Sequence, residues 1–426
     1  MLLKFLTRMK MFLRFRYRKQ APVSRSPSYY VWKRLKRNKL AVMGMIIIGL
    51  SIVTAILGYL IMPDSTPDAN EMSLALTTHK PGFSITMLLE KKNEEPHSTH
   101  IFRKMLFGEE AHYSFIPINS YRFEGNQLVI EEYAGHENRK GAITKYSIAD
   151  VAYSMNLTDP KIRETVDSIS FLDYEGQRIT RSTAELKAQI LKKNIRKKKF
   201  WLGTDRFGRD MLSRLMAGTR VSLSVGLISV IISLFIGIGL GSLAGFFRGK
   251  IDAIILWLIN VVWSIPTLLL VITITLALGK GFWQVFVAVG LTMWVDVARI
   301  VRGQIFSIRE MDYVEAGRAI GFGNKRLIWK HILPNIMGPV IVVSAANFAS
   351  AILLEAGLSF LGVGAQPPTP SWGVMIKENY GYIIVDAAYL ATLPGLAIMI
   401  MVLAFYLVGN GLRDAFDAKE TISEMY

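Results

Sequence analysis

Val221–Phe247 reads VSLSVGLISVIISLFIGIGLGSLAGFF, an uncharged run longer than the roughly 20 apolar residues that a bilayer-spanning helix needs. The pattern recurs on both sides of it. Residues 40–62 are uncharged, and so are 253–278, although the latter carry Asn260, Ser264 and Pro266. Residues 282–301 admit Asp296 and Arg299 at their far end, and 336–354 and 387–408 bring the apolar runs to six. A chain of 426 residues that is 51% hydrophobic, with mean hydropathy +0.32, is too apolar for an ordinary soluble enzyme. These runs predict an all-α polytopic membrane protein with six transmembrane helices.

The net charge of +17 is concentrated at one end. Residues 1–39 hold thirteen Lys/Arg and no acid, whereas 63–200 hold twenty bases against nineteen acids. A basic tail ahead of a span reads as a cytoplasmic anchor touching anionic lipid headgroups. No groove or aromatic pattern organises that charge for nucleic acid. With the N-terminus inside, 63–220, 279–281 and 355–386 fall outside, and 248–252, 299–335 and 409–426 fall inside. Arg248, Lys250, Arg299, Arg302 and Arg309 then obey the positive-inside bias. The reading is a multi-pass protein of the cytoplasmic (inner) membrane with both termini cytoplasmic, 418–426 forming a C-terminal tail.

Residues 63–200 read as a separate, extracytoplasmic α+β domain inserted between the first two spans. Tyr121–Tyr133 alternates around Gly125-Asn126, a hairpin signal, and 148–155 and 182–195 read as helices. Five of the six histidines lie here (His79, His97, His100, His112, His136), at spacings that fit no tight metal-ligand motif, so no metal site is expected. No Ser/His/Asp order in a catalytic context stands out either. In the spans, Asp296 and Arg299 sit three residues apart and are expected to neutralise each other at the helix end. Asn260, Ser264 and Asn347 are candidates to line a pathway, or to hold helices together. The glycines of the second span (Gly226, Gly237, Gly239, Gly241, Gly245) point to close helix packing.

Between the fourth and fifth spans lies Tyr313–Asn335, YVEAGRAIGFGNKRLIWKHILPN, a basic amphipathic stretch. Tyr313, Gly317, Ile320, Leu327, Ile328 and Ile332 recur at helical spacing, with Arg318, Lys325, Arg326 and Lys330 between them. Gly321 and Gly323 break the run, Asn324 is placed to cap a second helix, and Pro334 to end it. A helix–turn–helix of this kind lies along the membrane face and presents itself to a partner. No GxxxxGK[ST] occurs, since Gly-Lys at 249–250 and 279–280 lacks the following Ser or Thr, so nucleotide hydrolysis is not expected of this chain.

Glu315-Ala316-Gly317, Gly321 and Leu333-Pro334 resemble the "EAA" loop of ABC importer permease subunits. Gly203-Thr204-Asp205, Gly208-Arg209-Asp210, 298–304, 358–373 and 409–414 are similar to blocks of the peptide-transport branch of that family. Residues 28–38 resemble the basic N-terminal helix of its C-type dipeptide/oligopeptide subunit. The resemblance implies a type I ABC importer permease fold with a core over 201–417. It further implies a homologous permease subunit, two cytoplasmic ABC ATPases holding ATP and Mg, an extracytoplasmic solute-binding protein and a peptide substrate. Within that frame Glu315 would position the loop in a groove of the ATPase. Ala316 and Gly317 would permit close approach, Gly321 would make the bend, and Tyr313, Leu333 and Pro334 would complete the loop. Nickel chelates or another small solute remain alternative cargoes. A membrane-anchored assembly or sensor protein acting through 63–200 remains the alternative of another class. Trp257 and Asn260 stand where many relatives carry Arg and Asp, and the insertion is longer than the family's usual connection.

Overall fold

The computed structural model describes residues 27–94, 100–135, 139–155, 162–165, 167–279 and 281–417. The basic tail before residue 27, His97, His136, Lys280 and the tail after 417 lie outside the described residues. Helix α1 (Pro27–Arg37) is separated from the first span, α2 (Lys39–Ile61), by Asn38. The Asn38 side chain accepts the Ala41 N–H at 3.2 Å and so restarts the helix.

The insertion is an α+β unit. Its strands are β1 (Ser84–Lys91), β2 (Tyr113–Glu124), β3 (Gln127–Glu132), β4 (Ile143–Ser147), β5 (Arg163–Glu164), β6 (Ser168–Leu172), β7 (Arg178–Ser182) and β8 (Ile195–Lys199). Helices α3 (Ile101–Phe107), α4 (Ile148–Ala152) and α5 (Thr183–Gln189) accompany them. One antiparallel sheet has the order β4-β3-β2-β1-β8, and a second has β5-β6-β7. The turn read at Gly125-Asn126 closes the β2–β3 hairpin, with Glu124 opposite Gln127 and Gly125 at φ 59°. Leu88, Ile118, Leu128 and Ile130 bury one face of the larger sheet against Ile148, Val151 and Leu186 of the helices. Because β8 pairs with β1, the two ends of the insertion return to one place before the chain re-enters the spans.

The remaining helices are α6 (Met211–Phe247), α7 (Gly249–Trp263), α8 (Thr267–Leu278), α9 (Phe282–Ile308), α10 (Asp312–Ala319), α11 (Asn324–Phe360), α12 (Trp372–Asn379) and α13 (Tyr389–Phe416). Four of them (α6, α9, α11 and α13) and α2 each follow one apolar run, α7 and α8 share the sixth, and three boundaries differ for identifiable reasons. Helix α6 starts at Met211, not Val221, because Asp210 caps it through the Ser213 N–H at 2.9 Å. At 37 residues it is about 55 Å long, well beyond a hydrocarbon core of about 30 Å. Helix α9 runs past residue 301 to Ile308, because Arg302 is neutralised by Asp252 at 2.5 and 2.7 Å.

The third departure is sharper. The single span read over 253–278 is two helices, α7 and α8, bent 92° at Ser264–Pro266. Pro266 has no N–H to donate and its ring crowds the preceding turn, so the helix cannot pass through it unbroken. The uncharged run continues across the break, so apolarity does not mark it.

Helix α9 is the hub of the bundle. Gly237, Gly241 and Gly245 form one stripe of α6 against it, where a Cβ at Gly237 would stand 2.5 Å from Val297 Cβ, and one at Gly241 2.6 Å from the Ala298 carbonyl oxygen. Gly226 lies instead against Phe348 of α11, and Gly239 has open space. Four of the five glycines thus serve close approach, as small residues do between membrane helices.

Candidate functional site

Chain direction and contacts put α10 and its turn on the face opposite the insertion. The stretch is less separate than its sequence implies. Helix α10 ends at a turn in which Gly321 has φ 84°, a conformation that disfavours side chains with a Cβ. The following helix is capped at Gly323 rather than Asn324, and it does not stop at Pro334. It passes through a π-helical turn over Leu327–Ile332, where the Leu333 N–H reaches Ile328 O, and continues as the fifth span. The wider π turn accommodates the proline whose ring and missing N–H would break a regular α-helix. So α10, the turn and α11 form one mechanical piece.

The buried face of this piece is Val314, Gly317, Leu327, Ile328 and Ile332, packed with Phe246 of α6, Val301 and Ile305 of α9, and Ile336. A Cβ on Gly317 would stand 2.9 Å from Leu327 Cδ2, so only a very small residue fits where α10 meets the second arm. Tyr313 and Ile320, expected on the apolar face, point outward. Together with Met311 and Trp329 they leave an apolar surface uncovered, Ile320 being 71% and Trp329 69% exposed. Glu315 and Ala316 are exposed on the same piece, and the Glu315 carboxylate has no hydrogen-bond or ion-pair partner among the described residues. Tyr313 Oη accepts from Asn335 Nδ2 at 3.0 Å, which ties the start of the piece to its end. Leu333 is buried and Pro334 exposed.

Cations brace this corner at its surface. Arg309 Nη1 donates to Phe246 O at 2.5 Å, Arg248 pairs with Glu310 at 2.6 Å, and the Arg318 guanidinium lies 5.3 Å from the Phe246 ring centroid. Arg326 stacks 3.9 Å from the Phe322 ring, which itself stacks on His331. A push on the exposed surface is therefore delivered to α6, α9 and α11 together.

On the insertion side, the Gly203–Asp210 block is a staple. Gly203 and Gly208 both have positive φ, and a Cβ on either would strike the carbonyls of His79 or Ser73. Thr204 Oγ1 donates to Leu76 O and accepts the His79 N–H. Arg209, 1% exposed, donates to Asp205 Oδ2 at 2.6 Å, to Asn70 Oδ1 at 3.2 Å and to Glu378 Oε2 of α12 at 2.9 Å. Arg214 lies 3.7 Å from both carboxylates. Five charged or polar groups from three chain segments thus compensate one another out of water. This arrangement fastens the insertion to α6 and α12 and offers no reactive atom to a substrate. Burial pushes the Asp210 carboxyl up, partly offset by its bonds from Ser213, and burial likewise pushes up Glu71 against the pull of Lys198.

The pathway candidates separate. Asn347, 4% exposed, donates to Met293 O at 3.4 Å and lines a cavity of about 340 Å³ with Val262, Trp263, Thr267, Asp296 and Ser350. Asn260 and Ser264 are exposed and do not line it, and Ser264 donates to its own helix at Val261 O. Asp296 and Arg299 form no ion pair. The Arg299 guanidinium lies 3.9 Å from the Trp263 ring centroid, and Asp296 faces the cavity.

The sequence does not single out Glu378, Trp329 or Glu355. Glu355 of α11 is fully buried, accepts from Ser359 Oγ at 2.7 Å, and adjoins the hydroxyls of Ser222 and Ser371. An acid directly after the apolar run ending at Leu354 was the available signal. Glu378 had none, because its partner is 169 residues away.

Two family models match the chain. The binding-protein-dependent transport system inner membrane component matches 237–421, and the N-terminal TM domain of oligopeptide transport permease C matches 26–79. A di/tripeptide transport system permease protein of Pseudomonas aeruginosa is 45% identical over 52% of this chain and 73% of its own length. A glutathione transport system permease protein of Pectobacterium atrosepticum is 41% identical over 51% and 72% respectively. An oligopeptide transport system permease protein of Bacillus subtilis is 37% identical over 52% and 72%. The exposed, span-linked loop and the helix bundle that carries it are those of a transporter subunit: the chain belongs to the binding-protein-dependent transport system inner membrane components, as a permease subunit of an ABC importer.

Proposed function

We propose that this subunit forms half of a translocation path for di- and oligopeptides, and that separate ATPases drive it through residues 313–335. The carrying observation is the single mechanical piece from α10 to α11, which offers Glu315, Ala316, Ile320 and Trp329 to a partner and is packed on α6 and α9. Two cytoplasmic ATPases, holding ATP and Mg, would seat these loops on this subunit and on a homologous permease. Closure of the ATPases on ATP then tilts α6, α9 and α11 as a body, and access alternates between the two sides. Both termini lie with the loop on the cytoplasmic side. A solute-binding protein delivers cargo on the other, where the insertion stands.

The cargo assignment draws on the transport names of the relatives, which cover peptides from dipeptides to oligopeptides and glutathione. Uptake of labelled di- to pentapeptides by a strain lacking this gene, with and without a plasmid copy, tests it. Restored peptide uptake supports the reading. Restored growth on another solute with no peptide uptake would overturn it.

A further inference from the structure

Asp296 sits near the middle of α9, not near its end, because that helix continues to Ile308. The break between α7 and α8 falls near the middle of their combined length, and Asn347 lies near the middle of the α-helical stretch Leu333–Phe360. All three middles meet at one cavity of about 340 Å³, lined by Val262, Trp263, Thr267, Thr292, Asp296, Asn347 and Ser350 among others. A carboxylate in the central part of a membrane helix is costly and faces a partner or a polar path. The nearest cation, Arg299 one turn along α9, is held on the Trp263 face and makes no ion pair with it. Arg299 therefore balances the charge of the region and leaves the Asp296 oxygens open to the cavity. The uncharged liners around it, Thr267, Thr292, Asn347 and Ser350, can accept or donate hydrogen bonds along a peptide unit.

The geometry points to Asp296 as the group that receives the α-ammonium of a peptide as it passes this half of the path. A cavity with one free carboxylate, no free base and several neutral hydrogen-bonding groups is complementary to a primary ammonium followed by an amide. The inference rests on the peptide reading given above. It adds a residue and a chemical feature of the cargo to that reading. Asp296 is exposed and its carboxylate bonds no other group of this chain, so loss of the charged hydrogen bond is felt in transport rather than in assembly.

The test uses the assembled importer in proteoliposomes with one binding-protein preparation throughout. Uptake of labelled dialanine and of N-acetyl-dialanine is measured for the wild-type protein, Asp296→Asn and Asp296→Glu, and assembly is checked by co-purification of all subunits. Asp296→Asn is expected to lower uptake of the free-amine peptide by about tenfold or more, with little change for the acetylated one, and Asp296→Glu to restore part of the loss. Because the binding protein is common to every arm, a change in the ratio of the two peptides arises in the permease. If the wild-type importer carries dialanine and Asp296→Asn carries it equally well, the assignment is overturned while peptide transport stands. Equal losses for both peptides overturn it too, since a carboxylate with only a structural role has no preference for a charged amine. If the wild-type importer carries neither peptide, the peptide reading itself fails and the assignment falls with it.

Discussion

Arg209 Nη2 and Glu378 Oε2 are 2.9 Å apart, joining the segment before α6 to α12 across 169 residues of sequence. Both side chains are withdrawn from water, at 1% and 7% exposure. Removing one partner of a buried ion pair leaves the other charge unsolvated and costs about 3–5 kcal/mol. Arg209→Met should therefore lower the thermal midpoint of the purified protein by several degrees. Arg209→Met combined with Glu378→Gln should recover much of that loss. A single variant as stable as the wild type would show that the cluster does not hold the insertion in place.

Close packing of α6 on α9 separates neighbouring glycines. Gly241→Val must push against the Ala298 carbonyl and the Val301 side chain, and overpacking of this kind costs about 1–3 kcal/mol. Gly239→Ala meets nothing within 4 Å and should be neutral or slightly stabilising. Unfolding followed by a tryptophan or dye signal in detergent distinguishes the two, and equal effects would contradict the stripe.

At Gly321 the space is open but φ is 84°, so the cost of substitution lies in the backbone alone. Gly321→Asn, which tolerates left-handed backbone, should keep most ATP-driven uptake. Gly321→Val should lose about tenfold while membrane insertion is unchanged, because a β-branched residue strongly disfavours this conformation. Normal transport by the valine variant would show that the bend is not needed for coupling.

Glu71 gives a pH signature. Burial raises its carboxyl pKa above the ordinary value, so the folded protein holds this proton more tightly than the unfolded chain. The corresponding stability is whole below the unfolded carboxylate range, near pH 4, and is lost as pH rises through the raised folded value. Glu71→Gln has no such proton. The variant should therefore gain stability relative to the wild type as pH rises from about 4 through that raised folded value, read as the difference in thermal midpoints. A difference that shrinks with rising pH would reverse the sign and contradict burial as the dominant influence.

The sequence made the spans legible because each apolar run exceeds what water will tolerate exposed, and it made the Gly125-Asn126 hairpin legible because that turn needs special backbone. Hydropathy could not show where helices end once charged residues pair across the bundle. Arg302 with Asp252 carries α9 past its apolar limit, and that extension moves Asp296 from an end to the centre. Pro266 was visible, yet its consequence depends on tertiary space for a 92° bend. The loop's motif residues were found, but the outward direction of Tyr313 and Ile320 was not. Helical spacing gives a face without saying which neighbour covers it. The Arg209–Glu378 staple was beyond reach, since nothing local announces a partner so far away.

The chain has no cysteine, so a single Ala316→Cys provides a unique attachment point on the exposed surface of α10. Labelled with a photoactivatable maleimide in the assembled importer, this position should cross-link to the ATPase subunit, and cross-linking should abolish ATP-driven uptake. If illumination captures no ATPase in a complex that still transports, residues 313–335 are not the surface through which ATP hydrolysis is coupled to the spans.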